Sequence, residues 1–568
     1  MAKFSDAEKQ TLEQYVTDPT GDVFVVKNMP GLVGAAYARY SRAKGGFREV
    51  LLNEFIKEGA VDQKHADELI ERILIAFGDD SVGELEGTHV SFENISMIAT
   101  KEIEERRIGG SPIEQSTRYV FYDQKDDQGE YRYVKVPEIM NSPIKAFYQQ
   151  TMDEVFDTYC RLIEPMTAYY QKLKTIDEAA YDILGGGQKQ KYEDLTVEKD
   201  KKAFKRTYTF DLRTKACDTL RCLLPLSTKT NVGMFGNGRF FQNVISHLLT
   251  TPYQECQNIG AKALTELSKV IPQYVKRAKK NEYRESVENQ MKNLAAALFD
   301  RLPAEPVTEA VTLIDRDQEW LAGQLSQGQK ITGREIDRLW QESFDLFTLT
   351  HMIYPYVKHG FKQIRDQLRG LPTATKEKII TTYLGQRQTR RDRPYRALEA
   401  GYPYTFDLVT DWGTYKDLMR HRMNTQLRQN FSPKLGFTVP DDLKRAGFED
   451  EALICHQKIN KLYDELFNLL PHVACYATMH GHRVRWLLGM NDREAMHLTE
   501  LRTIPQGHPQ YRKIAQQIHQ QIKARSAWRG AAAKFVDHND YFWTRGDAEA
   551  KQRVKEKMLE KKYHSHES

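Results

Sequence analysis

Two stretches of the chain repeat one another in order, and that echo constrains the fold more than any other feature. Residues 225–239 run from a proline through an apolar stretch to Asn237-Gly-Arg239, and residues 471–493 do the same, ending at Asn491-Asp-Arg493. Each is followed in the next turns by a histidine, His247 and His497. Pieces recurring in the same order point to an ancient duplication of one unit. The break between the halves falls where Leu302-Pro-Ala-Glu-Pro306 interrupts a helical pattern and Val311-Thr-Leu-Ile-Asp315 begins a new first strand. The expected division is therefore 1–303, with an insertion around 174–205, then 304–545, then a charged helical tail over 546–568.

Apolar residues recur at three- and four-residue steps from Ser142 to Leu173, with Phe147, Met152, Val155, Phe156, Tyr159 and Leu162 on one side. Similar helical patterns cover residues 48–76, 238–275, 335–370, 446–470 and 510–527. Strands are expected at Asp22–Lys27, Tyr131–Val136, Ala310–Ile314 and Tyr404–Val409. Gly185-Gly-Gly187 reads as a mobile loop, and the last two dozen residues as a tail that caps an oligomer or frays. The composition, 40% hydrophobic and 28% charged, allows a sizeable core and excludes a disordered chain. No apolar run is long enough to cross a membrane, and the amino-terminal segment has no signal-peptide pattern. Six scattered cysteines with no closely spaced pair fit a reduced, cytoplasmic protein. The net charge of +5 demands no polyanionic partner, although a nucleotide phosphate would suit a local excess.

Two constellations carry chemistry. In the first half, Gly109, Gly110 and Pro112 stop a helix, and beyond the loop Glu114, Ser116 and Arg118 alternate. In an extended segment all three share one face. A guanidinium fork beside a small hydroxyl suits a phosphate, and Glu114 can accept from a ribose or a base. In the second half, Asp417-Leu-Met-Arg-His-Arg422 precedes Gln426 and Arg428. Arg420 and Arg422 can flank a ligand, with His421 as a switchable donor or acceptor.

These pieces resemble the flavin-dependent thymidylate synthase family. Its motif runs Arg-His-Arg, then a Ser, then Glu-x-Ser-x-Arg-Tyr. Residues 114–119 resemble the ending, Ser111 the central Ser, and residues 420–422 the opening. Gly78-Asp-Asp-Ser-Val-Gly-Glu84 is similar to the family's entry motif without its two histidines, and Ser91-Phe-Glu-Asn-Ile-Ser96 to the strand and helix start that come next in the family. Asp218 and Arg221 before Leu224-Pro225, Asn237-Gly-Arg239, Asn491 to Arg502, and Gly507-His-Pro-Gln-Tyr-Arg512 resemble the later family segments. Neither half holds a complete motif. The first keeps only Arg106 and Arg107 of the opening, and the second has Gln426, Arg428 and Gln429 in place of the ending.

The resemblance implies a helix-rich α+β fold of two tandem repeats, each a twisted, mostly antiparallel sheet packed with long helices. It implies methylation of dUMP to dTMP with methylenetetrahydrofolate and NADPH as co-substrates and FAD as cofactor. Carried over by residue, Ser111, Glu114, Ser116, Arg118 and Arg239 bind substrate. Arg420, His421, Arg422, Asn491 and Asn237 hold the flavin, and Arg493 and Arg502 are catalytic. Family sites lie at subunit interfaces, so one chain is expected to mimic a dimer, with Ser116 and Arg118 facing Arg420–Arg422. A homodimer would then form a pseudo-tetramer. The split motif leaves a second expectation open, a flavin- or nucleotide-binding paralogue with altered or lost activity. A metal site at Cys475, His480 and His482 is set aside because the spacing fits no usual zinc arrangement. The basic run Arg387–Arg396 is read as a solvated loop beside an anion pocket rather than a nucleic-acid grip.

Overall fold

The computed structural model describes residues 4–29, 32–41, 43, 46–57, 60–61, 82–314, 342–343, 346–386, 397, 404–525, 530, 533–543 and 545–564. In chain order the principal elements begin with β1 (Gly87–Ser96), α1 (Met97–Glu104), β2 (Gly110–Glu114), α2 (Lys145–Leu173) and α3 (Glu198–Leu220). Then come β3 (Lys229–Asn237), α4 (Gly238–Thr250), α5 (Gln254–Leu267), β4 (Val311–Leu313), β5 (Tyr404–Asp411) and α6 (Trp412–Leu418). The last are β6 (Thr425–Arg428), α7 (Glu449–Leu469), β7 (Arg483–Met490), α8 (Asp492–Arg502), α9 (Pro509–Arg525) and α10 (Arg545–His564). Two compact units result: residues 1–115 with 229–285, and residues 116–228 with 286–568. They cut across the expected sequence halves, because residues 116–228 of the first half fold with the second.

The first unit is built on an antiparallel sheet ordered β1-β3-β2. Ser96 ends β1 and caps α1 by accepting the Ala99 N–H at 3.0 Å, satisfying one of the orphan donors of a helix start. Asn237 ends β3 and caps α4 in the same way, accepting from Phe240 at 2.8 Å. α4 buries Phe240, Phe241, Val244, Ile245 and Leu248 against Ile103, Val232 and Met234. The sheet comes so close to α4 that a methyl group on Gly110 would sit 2.3 Å from the Phe240 ring.

The second unit holds the sheet β6-β7-β5-β4, also antiparallel throughout. Every residue of β5 is buried, Thr405, Asp407, Thr410 and Asp411 included, with Asp407 paired to Arg485. Asp411 ends β5 and caps α6 through Thr414 at 2.9 Å, and Asn491 follows β7 and caps α8 through Glu494 at 3.0 Å. The run β5-α6-β6-β7-α8 thus repeats β1-α1-β2-β3-α4. The registers agree: Ser96 pairs with Lys229 and Asp411 with Arg483, each partner eight residues ahead of its capping asparagine. The fold is α+β and helix-rich, with two tandem repeats. Around the second sheet, α2 packs on α3 and α7. The segment after α3 pairs with second-half backbone: Leu226 donates to Thr478 at 2.7 Å, His480 to Leu224 at 3.0 Å and Gly481 to Cys222 at 2.9 Å.

Several expected elements differ. Asp22–Lys27 and Tyr131–Val136 form single bridges rather than strands, at Val16–Val26 and at Lys125–Tyr131 and Tyr133–Thr228. The 238–275 helix is broken between α4 and α5, where Pro252 has no N–H to continue the ladder. The extended run stops at Glu114, and beyond it the Ser116 hydroxyl accepts the Arg118 N–H at 3.3 Å in a turn. Glu114, Ser116 and Arg118 therefore do not share a strand face. Gly185 and Gly187 form the tip of a small hairpin, with φ of +83° and +79° and both N–H groups on the Asp182 carboxylate. The tail does not fray along the described residues; α10 packs on α3. The segments Gly78–Ser81 and Arg387–Arg396 lie outside the described residues, as does most of 48–76 beyond residue 61.

Candidate active site

Backbone pairing between Cys222–Leu226 and Thr478–Gly481 carries the end of α3 to the foot of α6, within the second unit. There the first-half pair Asp218 and Arg221 meets second-half side chains. Arg118 leaves its turn to donate to Asp218 through Nε at 2.9 Å and Nη2 at 3.4 Å, a forked contact. It also donates to the Tyr511 hydroxyl and the Gln506 carbonyl, both at 3.4 Å. Burial works against the Arg118 charge, but Asp218, Tyr511 and Asp417 outweigh it and raise the pKa. Arg221, buried, pairs with Asp417 at 3.1 Å. Burial also opposes ionisation of Asp417, yet Arg221 and then Arg118 hold its carboxyl well below the usual carboxylate range.

On the second-half side Arg502 ends α8. Its Nε donates to His421 Nε2 at 2.9 Å, and His421 Nδ1 lies 3.0 Å from Glu494. A guanidinium can only donate, so His421 accepts at Nε2 and carries its proton on Nδ1, which donates to Glu494. The imidazole is neutral, consistent with burial lowering its pKa. Burial lowers the Arg502 pKa, with Asp417 and Tyr511 opposing and Arg420 adding to the shift. The Arg118 and Arg502 guanidinium carbons each lie 5.6 Å from the centre of the Tyr511 ring. His508, which precedes α9, lies 3.2 Å from the Asp218 carbonyl, and burial and then Arg221 push its pKa down to about 3. The result is a cluster of three buried or half-buried guanidiniums with two carboxylates, in which Arg118 and Arg221 are paired with acids and Arg502 with an imidazole.

His421, Glu494 and His497 bring one ligand atom each within 4.8 Å of one another, close enough to share a metal ion. A metal on His421 Nδ1 would move the proton to Nε2, against the N–H of Arg502. His421 and Glu494 form a hydrogen-bonded support for Arg502, with the His497 ring 5.3 Å from that of His421. The set-aside group near Cys475 is also occupied: His482 accepts the Met479 N–H at 2.8 Å and meets His456 at 2.9 Å.

The remaining expected residues fall in different places. Arg118, Arg502 and His421 are brought together; Ser116 stands in the Arg118 turn. Arg420 is half-buried near Arg502, and Arg422 is exposed. Asn491 caps α8, and the Arg493 side chain lies outside the described residues. In the first unit, Asn237 caps α4, Arg239 pairs with Glu84, and Ser111 is exposed on β2. Glu114 has a fully buried side chain, 3.1 Å from Lys101. Glu494, Asp417, His508 and Tyr511 stand inside the motif segments, where sequence alone gave them no role. For Asp417 and Glu494 the available signal was an acid among clustered basic residues.

The sequence matches the family described as thymidylate synthase complementing protein over residues 25–273 and again over 327–526. The chain belongs to that family. Two matched segments in one chain agree with the repeated strand-and-helix run. Among curated relatives, a UPF0159 protein of Chlamydia pneumoniae is 34% identical over 561 residues, covering 95% of this chain and 96% of the relative. A UPF0159 protein of Chlamydia muridarum is 34% identical over 551 residues, covering 94% and 96%. One from Thermoplasma acidophilum is 29% identical over 528 residues, covering 92% and 98%. These relatives have nearly the same extent as this thymidylate synthase complementing family member.

Proposed function

We propose that the chain methylates dUMP to dTMP, with methylenetetrahydrofolate as carbon donor, NADPH as reductant and FAD as cofactor. The observation that carries this reading is the convergence of Arg118 from the first half and Arg502 from the second on one tyrosine, Tyr511. Each half lacks part of the family motif; Arg118 from one half lies near Arg502 and His421 from the other, while Ser111 and Glu114 belong to the first unit. Arg118, steadied by Asp218, binds the nucleotide phosphate, with Ser116 beside it. Arg502, steadied by neutral His421, stabilises negative charge developing on the uracil carbonyls. The guanidiniums of Arg420 and Arg422 suit the anionic flavin, with His421 and Asn491 positioning the segments on either side of them. When bound, the flavin supplies the redox chemistry that no side chain can. No thiol nucleophile is needed, and burial raises the Cys217 and Cys222 thiols well above the usual range, beyond useful reactivity.

A second reading, a flavin- or nucleotide-binding relative with a different substrate, has one observation in its favour. The Glu114 carboxylate, assigned to the sugar or base, is engaged with buried Lys101. Purified protein should show a flavin spectrum, form dTMP from dUMP in a complete assay, and rescue a thymidine-requiring bacterium. Flavin binding without rescue or dTMP would select the second reading. A colourless chain that takes up no added FAD would remove both.

A further inference from the structure

A duplicated chain has two ways to join its halves. The guanidinium cluster takes Arg118, Asp218 and Arg221 from the first half and Asp417, His421, Arg502, His508 and Tyr511 from the second. The reciprocal combination would take the equivalent positions from the opposite halves. The matched registers identify them.

Glu114 pairs with Val232 and Arg428 with Trp486, each partner five residues ahead of its capping asparagine. Four residues beyond Glu114 is Arg118; four beyond Arg428 is Ser432. No arginine stands anywhere between Arg428 and Arg445, so a shift of register does not restore one. Arg221 lies sixteen residues ahead of Asn237, and the same step ahead of Asn491 gives Cys475. From Ala446 to His482 there is no arginine at all. Arg502 lies eleven residues past Asn491, and eleven past Asn237 is Leu248, in a run without arginine from Phe240 to Lys276. The reciprocal set therefore has no arginine at any of the three equivalent positions, although Arg106 and Arg284 act on His247. The first-half counterpart of Asp417 is Glu102, six residues past its cap, and it meets His247 at 2.7 Å.

We infer that each chain binds one nucleotide, at the composite site in the second unit, and that the reciprocal combination binds none. The inference rests on the proposed nucleotide-binding function. An ancestral pair of identical repeats would have offered two equivalent sites; divergence kept one and released the other from selection for charge.

The test is equilibrium dialysis of dUMP against the full-length holoprotein, with protein concentration set by amino-acid analysis. A plateau at one dUMP per chain is expected, abolished in Arg118→Ala, with circular dichroism and flavin content checked for each variant. Ser432→Ala and Cys475→Ser should retain one dUMP per chain at unchanged affinity. A plateau at two per chain overturns the inference while leaving the functional reading intact; a single site lost in Ser432→Ala and kept in Arg118→Ala overturns the inference and the phosphate role given to Arg118, but not dUMP binding. No binding to folded, flavin-loaded protein overturns the functional reading, and the inference with it. If Arg118→Ala fails to fold, Arg118→Lys serves instead: it keeps the charge but loses the fork, and a fall in affinity of about tenfold is expected.

Discussion

Arg502 donates its Nε to an imidazole, while Asp417 acts on its charge from nearby. Neutral His421 accepts one N–H and orients the Arg502 guanidinium without adding a charge, whereas Arg118 and Arg221 are held by the carboxylates of Asp218 and Asp417. Glu494 acts one step further back, by keeping the proton on Nδ1. Glu494→Ala should let the tautomers mix and cost dUMP affinity about tenfold, the ~1.4 kcal/mol of one hydrogen bond to a charged group. Glu494→Gln, whose amide oxygen still accepts, should bind almost normally. Nitrogen-15 NMR of the His421 ring reads the tautomer directly, and an unchanged tautomer and affinity in Glu494→Ala would refute this role. At this scale the sequence showed the residue types but not their pairing. Arg118, His421 and Arg502 were legible because guanidinium and imidazole groups stood in recognisable order. Glu494 and Asp417 were not, because partnership across 73 and 196 residues is set by tertiary packing that no local pattern encodes.

At the scale of elements, long periodic helices such as α2 and α7 were legible almost to their ends, and so was β5. Short extended segments were not: Tyr131–Val136 has the alternation of a strand but meets only single-residue bridges, so pairing partners decide. The tail shows the same limit, since a charged helix looks solvated until its docking point is seen. That point is Asp211 on α3, which accepts from the Gly546 N–H at 2.8 Å, Lys174 at 2.8 Å and the Tyr181 hydroxyl at 2.9 Å. Gly546 is required by space, because a methyl group there would lie 2.2 Å from the Tyr181 ring and 2.8 Å from the Asp211 carboxylate. Gly546→Ala should displace the start of α10, and Asp211→Ala should cost about 3 kcal/mol by stranding Lys174. Hydrogen exchange over 545–564 should rise in both variants while exchange in β7 stays slow. Unchanged protection of the tail in Gly546→Ala would show that the contact with Asp211 does not hold it.

The molecule as a whole buries several imidazoles in neutral form, and that sets its response to acid. Burial lowers His508 to about 3, with Arg221 adding to the effect, and lowers His351 to about 4. Their unfolded value is 6.5. Above that value both states are neutral at these groups and nothing is lost. As pH falls below it, the unfolded chain takes up protons that the folded chain refuses, so unfolding is favoured. The loss continues until the folded groups themselves titrate. Each such histidine contributes a slope of about 1.4 kcal/mol per pH unit inside that window. Asp417, held low by its arginines against the cost of burial, adds a loss of the same sign at lower pH. His351 is the better probe because it stands away from the guanidinium cluster, between Phe347 and Phe361, with its Nδ1–H on the Phe347 carbonyl at 2.8 Å. Urea midpoints should fall steadily from about pH 7 to about pH 5, and His351→Gln should flatten that fall by about one histidine's share while lowering stability at neutral pH. A variant that loses stability equally at both pH values would mean that His351 is not a neutral, proton-refusing group.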